Sequence, residues 1–241
     1  MSCHRCGTQS SERANFCMEC GGRLADQAGA SSAANGAYAP MFHDGSRRLQ
    51  ESFDTRRLAD RLEQVHCRRE FSDADRAYIE RCSLFFLATA DADGRPDCSY
   101  KGGLPGFLRV VDERTLAFPD YQGNGMFKSL GNIYANPHVG LLFIDFESPS
   151  RLRLNGEATV HLDDPLLASY PGASLIVRVR PTQIFPNCPR YIHKMALVEH
   201  SVAVPKAGHS ATPAGWSVKE EFRDVRPTGT YTRLGDLSGS E

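Results

Sequence analysis

The feature that most limits the fold is a series of short apolar runs, separated by turn signals, between residues 83 and 162. Residues 84–89 are apolar almost throughout, as expected of a strand buried on both faces, and 139–146 repeat this pattern. Residues 107–111 and 115–118 are two further runs joined by a polar turn. Runs of this length bounded by turn residues are typical of β-strands. Because the turns are short, they predict antiparallel neighbours in place of a parallel sheet with crossover helices.

The remaining segments complete a mainly β (α+β) prediction. Residues 151–162 alternate apolar and polar side chains, which indicates a half-buried strand, and residues 175–180 show similar alternation. Six or seven antiparallel strands favour a closed or partly closed barrel, because closure removes exposed edges. Residues 46–81 instead show apolar residues at helical spacing, with start signals at Asp54 and at Ser72, and predict two or three short helices.

The charge pattern argues against nucleic acid and membrane surfaces as partners. The formal net charge is −1, and the nine arginines of residues 46–81 are interleaved with eight acidic residues. This arrangement is typical of a solvated helix face with many salt bridges. No apolar run is long enough to span a membrane, and no signal-peptide core follows Met1, so we expect a cytoplasmic protein.

Residues 1–24 predict a zinc ribbon. They hold two Cys-x-x-Cys pairs, Cys3 with Cys6 and Cys17 with Cys20, and a glycine follows each pair. Two thiolates at this spacing can bind one side of a tetrahedral Zn²⁺, and four close the site, so the metal would be structural. The alternative is a redox Cys-x-x-Cys motif, but the βαβ pattern expected around such a motif is lacking in this sequence.

Composition divides the rest of the chain into three parts. Residues 25–45 are small and polar and predict a flexible linker. Residues 46–204 form the predicted barrel with its leading helices, and residues 205–241 are a polar C-terminal tail that holds the only tryptophan, Trp216.

A polar, glycine-rich segment between two predicted strands carries the first candidate ligand contacts. Tyr121, Asn124 and Lys128 cluster in this segment, just before a short helical pattern. Lys101 precedes a Gly-Gly-Leu-Pro-Gly break where a backbone can approach a ligand closely. The alternative for each of these residues is an ordinary exposed side chain.

Six short motifs occur in order within residues 50–200. They are LFFLAT (84–89), DGRPD (93–97), SYKGGLPGF (99–107), LAFPD (116–120), GN (123–124) and LNGEA (154–158). Together they resemble the flavin-binding split-barrel family typified by pyridoxamine 5′-phosphate oxidase. The oxidase's arginine-plus-lysine strand signature and its C-terminal arginine and histidine pattern are not found, which argues against pyridoxamine phosphate as the substrate.

The resemblance implies a six-stranded antiparallel split β-barrel, a homodimer, and FMN in two clefts at the dimer interface. It places phosphate contacts on the second strand and on the helix after the glycine-rich segment, and ring contacts near Arg190. The candidate cofactor-binding residues are therefore Ser99, Tyr100, Lys101, Gly102, Tyr121, Asn124, Lys128 and Arg190. No catalytic residue is assigned, because a bound flavin itself would carry hydride or electrons.

The leading hypothesis is an FMN-dependent oxidoreductase acting on an unknown small substrate; a deazaflavin cofactor is not excluded. A second hypothesis is a flavin- or haem-binding sensor or carrier without turnover, in which the zinc ribbon docks a protein or nucleic-acid partner. A third makes the ribbon a nucleic-acid reader, but Arg5, Arg13 and Arg23 are few for phosphate binding.

Overall fold

The computed structural model describes residues 40–206, 208 and 214–225. From residue 41 onward these belong to one compact unit, Met41–Glu241. The four predicted zinc ligands, Cys3, Cys6, Cys17 and Cys20, lie outside the described residues, as do most of the predicted linker and much of the C-terminal tail.

Three helices lead the described chain, and seven strands follow, with a fourth helix between the fourth and fifth strands. The helices are α1 (Asp44–Ser52), α2 (Arg56–His66), α3 (Asp73–Glu80) and α4 (Lys128–Ala135). The strands are β1 (Leu84–Ala90), β2 (Pro96–Gly102), β3 (Arg109–Asp112), β4 (Thr115–Tyr121), β5 (His138–Asp145), β6 (Ser150–His161) and β7 (Ala173–Pro186). Short 3₁₀ helices occupy Pro165–Ser169, Gly215–Val218 and Glu220–Val225.

The seven strands form one antiparallel sheet in the order β2-β1-β5-β6-β7-β4-β3. The mainly β class with short helices is therefore confirmed. The six strands that the resemblance implies are one too few: the apolar run at residues 107–111 contributes to β3, a four-residue strand that pairs with β4 at the edge of the sheet. Within the described part of the chain no ladder joins β2 to β3, so backbone pairing does not close the sheet.

The sheet curls around its main apolar core, and a smaller apolar cluster lies around Tyr170 and Ile176. Phe85 on β1 and Phe118 on β4 are separated by three intervening strands, yet their ring centroids lie 5.0 Å apart in a T-shaped arrangement. Phe143 on β5 packs on Phe85 from another side, at 5.6 Å. All three rings are almost completely buried. Aromatic pairs of this kind contribute about 1 kcal/mol beyond the burial of their area, so they favour the curled sheet over a flat one.

Strand β1 is buried on one face only, which differs from the expectation for its apolar run. Phe85, Leu87 and Thr89 point into the core, whereas Phe86 and Ala88 on the other face remain partly or largely exposed. The period of two in side-chain direction explains the alternation, since only one face of the curled sheet meets the core.

The leading helices confirm the predicted cap at Ser72 and the predicted ion pairs, but not the predicted cap at Asp54. Ser72 begins α3 with a capping box, in which its hydroxyl accepts from the Asp75 N–H and the Asp75 carboxylate accepts from the Ser72 N–H. The interleaved charges form ion pairs, including Arg47 with Asp60. Asp54 does not cap α2: the N-cap of that helix is the next residue, and Asp54 has a positive φ of 53°.

The apolar stripe of α2 is left largely exposed by the residues that the structure describes. Leu58, Leu62 and Val65 lie at helical spacing, as the sequence predicts, but they are 58%, 46% and 61% exposed. Ala59 is the one buried residue of the helix. The stripe therefore contributes little to the core of this subunit.

Candidate cofactor site

A cleft of about 340 Å³ opens where the curled sheet is split, between edge strand β2 and the end of β4. Helix α4 and the glycine-rich segment before it form the remaining wall. The residues that line the cleft are Asp97, Cys98, Ser99, Lys101, Asp120, Tyr121, Gly123, Asn124, Gly125, Met126, Phe127, Lys128, Ser129, Leu130 and Ser174.

Strand β2 supplies three half-buried side chains to the cleft, Asp97, Ser99 and Lys101. They alternate along the strand and so share one face. Tyr100 points to the other face, where it is 61% exposed and its ring packs edge-on against Phe86 with centroids 6.1 Å apart.

Two hydroxyl groups meet at the start of α4. The buried Ser129 places its Oγ 3.0 Å from the Ser99 Oγ and 3.4 Å from an Asp97 carboxylate oxygen. Farther along the helix, the buried Asn132 donates from Nδ2 to the Thr89 hydroxyl of β1 at 3.0 Å, which anchors α4 on the sheet. The first turn of α4 is thus held in a fixed position beside β2.

The N-terminus of α4 has no side-chain cap. Its N-cap residue, Phe127, is left-handed, with φ 48° and ψ 27°, and its side chain accepts no backbone hydrogen bond. A non-glycine residue in this region costs about 1 kcal/mol or more. The first N–H groups of a helix have no intrahelical acceptor and carry partial positive charge, so this end of α4 can bind an anion.

Lys128 adds a charge at that end. It is the first residue of α4 and is exposed, and among the described residues no carboxylate lies within ion-pair distance of its ammonium group. Just before it, Asn124 shapes the loop: its Oδ1 accepts from the Met126 N–H at 3.1 Å. Gly125 has φ 75°, a conformation that favours glycine, so the sharp turn into α4 depends on this sequence.

A second polar pair spans the opening of the sheet. The Lys101 ammonium nitrogen on β2 lies 3.4 Å from Asp120 Oδ1 on β4, and the two side chains are 23% and 15% exposed. Burial raises the pKa of the Asp120 carboxyl, and the positive charge of Lys101 offsets part of this rise. Burial also raises the pKa of the neighbouring Tyr121 phenol.

The cleft brings together five of the eight candidate cofactor-binding residues: Ser99, Lys101, Tyr121, Asn124 and Lys128. The other three do not line it. Tyr100 faces away, Gly102 ends β2 beside the Tyr100 ring, and Arg190 follows β7 with its guanidinium 5.4 Å from the Tyr191 ring centroid. A role for these three residues in cofactor binding stays a prediction.

The cleft residues absent from the sequence-based site include three with hydrogen-bonding side chains that meet predicted site residues, Asp97, Asp120 and Ser129. Asp97 could have been found, because it lies two residues before Ser99 on the same strand face. Ser129 is next to Lys128 on the predicted helix. Asp120 could not have been found from the sequence, because its side chain approaches Lys101 only when the sheet curls.

The structure also has clefts of about 420 Å³ and 760 Å³. The first is lined mainly by apolar side chains near the start of β1 and the segment after β7, and the second lies between α2 and the ends of β6 and β7. Size alone therefore does not identify the functional site. The smaller cleft is distinguished by its two lysines, its hydroxyl pair and the uncapped helix.

Within the described residues, no group of three or more His, Cys, Asp or Glu side chains is placed to hold a metal ion. The predicted zinc ligands are not among those residues. No helix in the described part of the chain is long and apolar enough to cross a membrane.

Comparison with solved structures finds several of similar architecture. HupZ from Group A Streptococcus is 18% identical and covers 52% of this chain and 99% of its own, with a TM-score of 0.40. A putative pyridoxamine 5′-phosphate oxidase from Lactobacillus delbrueckii is 24% identical and covers 49% of this chain and 95% of its own, also with a TM-score of 0.40. An FMN-binding protein from Syntrophomonas wolfei is 13% identical and covers 58% of this chain and 97% of its own, with a TM-score of 0.38. TM-scores this low support no argument about ligand or activity.

No curated protein sequence matches the chain significantly. A family model does match part of it, over residues 71–188. That segment begins just before α3, so α1 and α2 lie outside the match. Residues 71–188, which contain all seven described strands and the whole cleft, match the family described as pyridoxamine 5′-phosphate oxidase.

Proposed function

We propose that this chain is an FMN-dependent oxidoreductase of the split-barrel type that acts on an unknown small substrate. The observation that carries the proposal is the donor end of the cleft, which we define as the first turn of α4 with Lys128, Ser99 and Ser129. The family match of residues 71–188 supports the same reading.

The donor end fits a phosphate ester. A phosphate accepts hydrogen bonds through all its free oxygens, and this end offers backbone N–H groups, two hydroxyls 3.0 Å apart and an ammonium group. Because Phe127 caps α4 with no side-chain acceptor, the first N–H groups remain available to a ligand. Asp97 at the edge of this group opposes a phosphate and would weaken its binding.

The protein's part in the proposed reaction is to bind and orient. FMN, when bound, supplies the hydride or electron transfer. Ser99, Ser129 and Lys128 would hold its phosphate, while Tyr121 and Lys101 line the cleft beyond that end. No described residue is required to act as a nucleophile.

An absorption spectrum of the purified protein, with the released cofactor identified by mass, tests the proposal. Flavin bands and released FMN are expected, together with bleaching of those bands on addition of NADPH or NADH. If haem bands appear, or if a bound flavin is not reduced by either donor, the sensor or carrier without turnover becomes the better account. A colourless protein that FMN cannot reconstitute contradicts flavin binding altogether.

Two further proposals concern assembly. A homodimer is supported by large side chains left exposed on the outer face of the sheet, such as Tyr100 and, in part, Phe86. Light scattering at several protein concentrations tests it, and a monomer at all concentrations would refute it.

The proposed zinc ribbon on Cys3, Cys6, Cys17 and Cys20 is based on the spacing of these cysteines. Elemental analysis should find about one zinc per chain, and none after the four cysteines are changed to serine.

A further inference from the structure

The pair of Lys101 and Asp120 has hydrogen-bonding capacity that the described residues leave unused. The two side chains contact each other at 3.4 Å, and no other hydrogen bond joins either of them to the residues that the structure describes. A lysine ammonium has three N–H donors, and a carboxylate has two acceptor oxygens. Two donors of Lys101 and the Oδ2 of Asp120 therefore remain for another group in the cleft.

A purely structural role accounts poorly for this pair. Both side chains are more than three-quarters buried, at 23% and 15% exposure, and both line the cleft. Neither the Lys101 ammonium nor Asp120 Oδ2 is fully buried, so both are open to a group bound in the cleft. As a clamp between β2 and β4 the pair is weak, because its single contact is at the long limit of a hydrogen bond. Unused capacity that faces a cleft instead indicates a ligand group.

The chemistry of the pair differs from that of the donor end. The donor end combines backbone N–H groups, two hydroxyls and one cation, with the Asp97 carboxylate at its edge, whereas the pair presents one donor directly beside one acceptor. A phosphate has acceptors only and would be repelled by the Asp120 carboxylate, so Lys101 is not suited to hold it. The complementary ligand group has an acceptor next to a donor, as in a cyclic imide, where a carbonyl adjoins a ring N–H.

We infer that Lys101 and Asp120 together recognise the imide edge of a planar heterocycle whose phosphate is held at the donor end of the same cleft. Lys101 donates to the carbonyl oxygen, and Asp120 Oδ2 accepts from the ring N–H. The inference rests on the proposed function, since FMN carries both groups: a phosphate ester and the N3–H of its pyrimidine ring between two carbonyls. It makes Asp120 a specificity-determining residue.

The test compares FMN with 3-methyl-FMN, in which a methyl group replaces the N3 hydrogen. Both dissociation constants are measured by fluorescence titration on the full chain, for the native protein, Asp120→Asn and a control, Asp73→Asn. Asp73 is exposed on α3 and does not line the cleft. The control removes the same charge elsewhere.

The native protein and the control should prefer FMN by about tenfold to a hundredfold, the effect of one hydrogen bond to a charged group. In Asp120→Asn the amide oxygen can still accept from Lys101, which leaves an NH₂ donor in the place of Oδ2. The preference should then fall to about one.

Two results would overturn the inference. Equal binding of the two ligands by the native protein would show that N3–H is not read, as when the pair contacts a sugar hydroxyl. A preference that persists in Asp120→Asn, whose side chain has the same size, would show exclusion of the methyl group by shape. In both cases FMN still binds, so the proposed function stands; failure of FMN to bind at all would refute both.

Discussion

Lys128→Ala removes the one cation of the donor end and should weaken FMN binding with little effect on riboflavin. An ammonium group 4 Å from a phosphate charge contributes about 1 kcal/mol in water and about 4 kcal/mol at an effective dielectric constant of 20. Because Lys128 is exposed, the lower part of that range applies, and we expect about 1–1.5 kcal/mol. This corresponds to roughly a tenfold rise in the dissociation constant.

The assay is a titration of flavin fluorescence with native protein and with Lys128→Ala, each against FMN and riboflavin. Riboflavin lacks the phosphate, so the two ligands and the two proteins form a double-mutant cycle. The cycle isolates the coupling free energy between Lys128 and the phosphate. Its coupling should shrink when salt is raised, as expected for an exposed ion pair. Equal losses for FMN and riboflavin would refute the placement of the phosphate at the start of α4.

The remaining predictions concern the core and the titrating groups. Phe85→Ala should cost about 3–5 kcal/mol in chemical denaturation, because the ring joins distant strands; a loss below about 1 kcal/mol would contradict the curled core. Arg178 binds the buried Asp164 at 2.5 and 3.0 Å and lowers the pKa of that carboxyl, so Arg178→Met should cost about 3 kcal/mol at neutral pH. A carboxyl whose pKa is lowered by folding stabilises the native protein above the unfolded pKa of about 4. The difference in free energy of unfolding between the native protein and Arg178→Met should therefore shrink as the pH falls below about 4, and a difference that does not change with pH would contradict this account. Burial raises the pKa of the Cys82 thiol to about 11. At pH 8, iodoacetamide should therefore modify the exposed Cys98 of the native protein and leave Cys82 unmodified, as measured by peptide mass mapping. Equal labelling of the two cysteines would refute this.

Local patterns predicted the elements because they act over a few residues. The capping box at Ser72 requires only Asp75 three residues later, and it is present as the sequence indicates. The apolar runs likewise predicted antiparallel strands. The seventh strand, β3, also carries such a run, at residues 107–111, and the count of six came from the resemblance alone.

Features that depend on the whole sheet could not be predicted in this way. Lys101 and Asp120 lie on strands near opposite ends of the sheet order, so their contact appears only when the sheet curls. Their pairing changes the interpretation of Lys101 from a phosphate contact to one half of a donor and acceptor pair. Phe86 shows the same dependence, since a run of apolar letters cannot indicate which face of a strand will meet the core.

The exposed stripe of α2 is a further case. Leu58 and Leu62 have the spacing of a buried helix face, yet the described residues leave them 58% and 46% exposed. The spacing of apolar residues along a helix indicates that the helix has an apolar side, but it does not indicate which surface covers that side. The family match begins after this helix, so the resemblance of the barrel gives no guide to it.

The most direct test of the central claim is a crystal structure of the protein with FMN bound. The account predicts that the phosphate lies at the first turn of α4, within hydrogen-bond distance of the Ser99 and Ser129 hydroxyls and near the Lys128 ammonium group. FMN with its phosphate elsewhere, or bound outside the cleft between β2 and β4, would contradict it.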